Sequence, residues 1–86
     1  PDAFPTRLFY NPFPKAKIIH WNCGKYPVRV YDALSNKTIY SSVHGSQNFE
    51  IPAKQAIMLV STPADKPLER IKGQLICENI VVDFQL

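Results

Sequence analysis

Long apolar runs are missing from this sequence. None approaches the roughly 18 residues that a helical membrane span requires, and the most apolar segment is only Ala56-Ile57-Met58-Leu59-Val60. Glycine is scarce, at three residues, while proline is frequent, at eight. That balance argues against a helical bundle, because proline breaks helices yet sits well at strand edges and turns. Cysteine is limited to Cys23 and Cys77, which excludes a cysteine-rich secreted scaffold and permits at most one internal disulfide. Runs of like charge are also missing. The net charge of +3 comes from basic residues scattered singly between Arg7 and Lys72, with acids interleaved. A nucleic-acid footprint clusters on one face, so neither a nucleic-acid nor a membrane partner is expected. No signal-peptide pattern, internal repeat or low-complexity tract occurs. The start at Pro1 is read as a cut, so the expectation is the C-terminal piece of a longer chain.

What is present fits one small domain spanning residues 1–86. Hydrophobic residues make up 45% and charged residues 20%, an ordinary globular balance. A chain this short buries only about 60% of its unfolded surface, so its core is thin. Short alternating segments separated by turn residues recur along it. Strands are predicted over 6–10, 16–21, 27–31, 38–42, 47–51, 56–60 and 79–84, with weaker ones over 68–73 and 74–77. Within them, Ile18 and His20 should face opposite to Ile19 and Trp21, and Val28 and Val30 opposite to Arg29 and Tyr31. The 56–60 segment suits a central strand covered on both faces. Residues 61–67, polar and holding two prolines, are predicted to be a loop. The fold class is therefore all-β: a small antiparallel β-sandwich of about seven to eight short strands.

Several segments carry a resemblance. Leu8-Phe9-Tyr10-Asn11-Pro12 is similar to an "LYYNP" entry strand. The stretch from Gly24 through Tyr31-Asp32-Ala33-Leu34 to Thr38 resembles a "GKYDLYDALTGK" hairpin. Val43 to Ala56, with Phe49-Glu50-Ile51-Pro52-Ala53, looks like "V-x-G-x-x-x-F-x-I-P-A-x-x-A". Ile80-Val81-Val82-Asp83-Phe84 looks like a shortened "G-V-V-I-D-Y" ending, with Glu78-Asn79 where that pattern carries glycine. These motifs belong to the C-terminal β-sandwich domain of secreted bacterial polysaccharide-degrading enzymes, chiefly glycoside hydrolases of gut-type Bacteroidetes. The resemblance spans nearly the whole chain. It implies a non-catalytic accessory domain, secreted, periplasmic or at the cell surface, packed against an upstream catalytic domain of the same chain.

His20-x-x-Cys23 has ligand-like spacing, and His44 and Cys77 could complete a set of four. A structural zinc site, however, needs paired close spacings on both sides, so neither a metal nor any other cofactor is expected. Cys23 and Cys77 could form a disulfide or remain two thiols. No serine or cysteine lies in a recognisable nucleophile motif. The acids Asp2, Asp32, Glu50, Asp65, Glu69, Glu78 and Asp83 are scattered singly rather than paired for glycoside cleavage. The domain itself is therefore not expected to be an enzyme.

Aromatics are the sharper signal. Trp21, Tyr26 and Tyr31 lie around one turn and the strand after it, and could stack on sugar rings as a carbohydrate-binding module. Phe9, Tyr10 and Phe13, which precede the hairpins, are the candidates for interdomain contact. Asn36-Lys37-Thr38 forms a glycosylation sequon in a predicted hairpin.

Overall fold

The computed structural model describes residues 4–72, 74–77 and 80–84. Pro1, Asp2, Gly73, Glu78 and Asn79, which entered the reading above, lie outside the described residues. Among the described residues alternation becomes nine strands: β1 (Thr6–Tyr10), β2 (Lys17–Asn22), β3 (Val28–Asp32), β4 (Lys37–Val43), β5 (Ser46–Ile51), β6 (Ala56–Pro63), β7 (Glu69–Ile71), β8 (Gln74–Cys77) and β9 (Ile80–Phe84). They form a four-stranded sheet in the order β1-β6-β3-β4, a two-stranded sheet β2-β5, and a three-stranded sheet β7-β8-β9. All described pairings are antiparallel. The chain is all-β, a small antiparallel sandwich, and no helix among the described residues is long and apolar enough to cross a membrane.

The core lies between the four-stranded sheet and the β2-β5 pair. Val30, Ile57 and Leu59 from the larger sheet meet Phe49 and Ile51 from β5, with Cys23 closing one end. Phe9, Ile19, Trp21, Val28, Tyr40 and Val43 pack around them, half-buried. Complete burial of each large apolar side chain contributes about 1.5–3 kcal/mol. Since two strands alone are marginal in water, the β2-β5 pair depends on this contact.

The faces follow period two. On β2, Ile18 and His20 are exposed while Ile19 and Trp21 turn inward. On β3, Val30 enters the core, so Tyr31 points to the sheet's opposite face. The predicted loop over 61–67 needs correction at its start, because β6 runs on to Pro63. Ser61 and Thr62 are buried there, opposite Val30 and Arg29. The Ser61 amide donates to the Pro5 carbonyl, and Arg29 reaches the Thr62 hydroxyl at 3.3 Å. These partners allow polar residues to continue a central strand.

Two crossovers between the sheets hold each other. The Cys23 amide donates to the Gly45 carbonyl (2.8 Å), and the Gly45 amide to the Gly24 carbonyl (2.7 Å). Both glycines take left-handed backbone, φ +96° at Gly24 and +73° at Gly45, which a side chain would strain.

At the other end sits Asn11, completely buried. Its amide donates to the carbonyls of Lys15 (2.7 Å), Ile51 (3.0 Å) and Pro52 (3.3 Å), and its side-chain oxygen accepts from the Phe13 amide. One side chain thus ties the β1–β2 loop to the β5–β6 turn. Asp32 does similar work in the β3–β4 hairpin, accepting from the amides of Leu34 and Met58 and the Ser35 hydroxyl.

Candidate functional site

The three aromatics expected to form a sugar platform do not share a surface. Trp21 packs inward on β2, 6.1 Å from Phe49 between ring centroids. Tyr31 is 4% exposed on the far face of the four-stranded sheet, and its hydroxyl donates to Asn36 Oδ1 at 3.0 Å. Because consecutive strand residues alternate sides, burying Val30 in the core sends Tyr31 away from Trp21. Tyr26 alone is displayed, 76% exposed.

Tyr26 belongs to a groove of about 530 Å³, lined also by Pro27, Ser42, Pro63, Ala64 and Asp65. Its walls come from the approach to β3, the end of β4, and the segment after β6. Hydrogen bonds pin them together: the Ala64 amide donates to the Pro27 carbonyl (3.3 Å), and the Lys66 amide to the Pro63 carbonyl (3.2 Å). Arg29 donates to the carbonyls of Ala64 (3.5 Å) and Lys66 (2.7 Å). Pro27 restricts Tyr26 to extended backbone. Of these residues, sequence reasoning had singled out only Tyr26 as an aromatic contact and Asp65 as a lone acid. The polar look of residues 61–67 concealed the rest; Arg29, at an outward position of β3, was the one available signal of a partner there.

A second groove, also about 530 Å³, opens beside the β3–β4 hairpin, where Leu34, Ile39 and Pro52 mix with Lys37 and Glu50.

The expected interdomain residues divide. Phe9 is a correction: it turns toward the core, opposite Ile57, with the Arg7 guanidinium 5.6 Å from its ring centre. Tyr10 and Phe13 are 62% and 54% exposed, and the Lys17 ammonium sits 5.5 Å from the Phe13 ring. Leu8, unflagged by sequence reasoning, is 59% exposed. It shares the outward face of β1 with Tyr10, beside Met58 and Ala56 of β6.

The candidate disulfide is not formed: Cys23 and Cys77 are buried thiols without a bond between them. Cys23 sits in the sandwich core and Cys77 on β8. His20 is exposed on the outer face of β2, and no group of three or more His, Cys, Asp or Glu among the described residues is placed to hold a metal.

Burial pushes the Cys23 thiol above its ordinary pKa of 9.0. Below that value folded and unfolded chains both keep the proton, and the thiol's contribution is intact. As pH rises further the unfolded chain ionises first, so stability should decline. Labelling with a thiol reagent at pH 8 should be slowed about 100-fold or more for both cysteines relative to the denatured chain. Rapid labelling of Cys23 in the native protein would contradict its placement.

No known protein family, characterised protein or solved structure matches this chain.

Proposed function

We propose that this chain is a non-catalytic accessory domain of a secreted bacterial carbohydrate-active enzyme of the glycoside hydrolase kind, packing against and orienting the catalytic domain of the same polypeptide. The observation that carries this reading is the outward apolar strip of β1 and its loop. Leu8, Tyr10 and Phe13 are each more than half exposed, within six residues. A domain with so thin a core would ordinarily bury such side chains, and clustered apolar exposure marks a contact surface. The motif resemblance supplies the partner.

The test begins with the intact mass of the native polypeptide. It should lie well above 9.8 kDa. In that longer chain, Tyr10→Ser with Phe13→Ser should lower the melting temperature and speed amide exchange along the contacting face of the neighbouring domain. In the isolated domain the same pair should change stability by only about 0.5 kcal/mol per site, as exposed substitutions do. A native mass equal to that of this domain, or a longer chain indifferent to both substitutions, overturns the reading.

A further inference from the structure

The Tyr26 groove is shaped before any ligand arrives. Three backbone segments meet there: hydrogen bonds from Ala64 and Arg29 tie the approach to β3 to the segment after β6, and the Val28–Val43 pairing holds the end of β4. Two of its walls are proline rings, which are stiff and bring no amide hydrogen. Preorganised walls reduce the ordering cost of binding, and the groove's volume of about 530 Å³ falls within the usual range for small-molecule sites, about 300–1,000 Å³.

Its chemistry is selective. Its one aromatic residue, Tyr26, is 76% exposed. The polar side chains beside it are the Ser42 hydroxyl and the Asp65 carboxylate, and neither takes a hydrogen bond within the described residues. Among the described residues no cationic side chain lines the groove, so a phosphate or carboxylate ligand would meet the like charge of Asp65. Proline-rich peptides dock on aromatic-lined grooves, whereas a single ring stands here.

A neutral ring with an apolar C–H face and hydroxyl donors at its rim matches this combination of one aromatic, one hydroxyl and one carboxylate. We infer that the groove is a subsite for one pyranose residue of a glycan, stacked on Tyr26, with its hydroxyls donating to Asp65 and exchanging hydrogen bonds with Ser42. Neither Tyr10 nor Phe13 lines this groove, so sugar binding here stands or falls apart from the docking of a catalytic domain.

The experiment is a titration of the ¹⁵N-labelled domain with methyl glycosides of β-glucose, β-galactose and α-mannose, with decaproline as the competing probe. At least one glycoside should move the Tyr26, Ala64 and Asp65 amide signals saturably, with a dissociation constant of about 1–10 mM, as expected for one ring and few hydrogen bonds. Tyr26→Ala should weaken that binding about tenfold, the scale of one aromatic contact. Asp65→Ala, which removes a carboxylate from an exposed turn, provides a second loss if the first variant folds poorly. The inference is overturned if no glycoside saturates these signals, if decaproline alone does so, or if binding survives both substitutions unchanged.

Discussion

Replacing Asn11 by alanine is expected to cost about 3–4 kcal/mol and to lower the melting temperature by roughly 15–25 °C. The reason is the number of groups that one side chain satisfies. Its amide serves the carbonyls of Lys15, Ile51 and Pro52, and its oxygen holds the Phe13 amide. Alanine would strand the buried Ile51 carbonyl and, at the half-buried margin, the Lys15 and Pro52 carbonyls and the Phe13 amide, around a side chain that is itself 0% exposed. Each buried polar group stranded in this way costs about 1–3 kcal/mol, less where relaxation admits water. A domain of this length has roughly 4–13 kcal/mol in total, so this one change removes a large share. Asn11→Asp should be no better at neutral pH, because it aims a buried carboxylate at carbonyl oxygens. Urea unfolding of both variants checks the expectation. A loss below about 1 kcal/mol in each would mean that the loop and turn are not held by this side chain.

Phe49→Ala should cost a similar amount, about 3–5 kcal/mol, through a different mechanism. Phe49 is 2% exposed and touches two other rings, Trp21 at 6.1 Å and Tyr40 at 5.3 Å edge-on. Its removal opens a cavity at the contact that keeps β2 and β5 on the larger sheet. Tyr40 also donates from its hydroxyl to the Asn48 carbonyl at 2.7 Å, so loosening the rings should loosen that tie as well. The protein's single tryptophan is Trp21, and its fluorescence should shift to the red as water reaches it. Phe49→Leu, which preserves most of the volume, should cost only about 1 kcal/mol. Comparable losses from the two variants would show that the site repacks and that Phe49 is not the anchor.

These two residues also mark what could be read from sequence. Phe49 was legible, because alternation through Phe49 and Ile51 places both on one face. The opposed faces of Ile19 and Trp21 against Ile18 and His20 followed from the same rule. Asn11 appeared only within the Leu8-Phe9-Tyr10-Asn11-Pro12 motif. Two of its partners, Ile51 and Pro52, lie about forty residues away, and no local pattern encodes a hydrogen bond across that separation. Ser61 and Thr62 failed for a related reason: their composition suggests a loop, but Arg29 and Pro5 supply the partners that let β6 continue. As for the candidate site, adjacency in sequence suggested a shared surface for Trp21, Tyr26 and Tyr31. Strand alternation divided them, and long-range pairing assembled the groove around the one that remained.

The pairing of β1 has a consequence in time. Thr6 waits for Val60 and Tyr10 for Ala56, so β1 has no partner until the chain through β6 has been made. At synthesis rates of about 5–20 residues per second, that interval is roughly 3–10 s. Non-local β pairing folds in milliseconds to seconds once the chain is complete. The rate of translation, rather than the search for contacts, therefore sets when β1 becomes a strand. Throughout that interval Leu8, Phe9 and Tyr10 are open to whatever has emerged ahead of them.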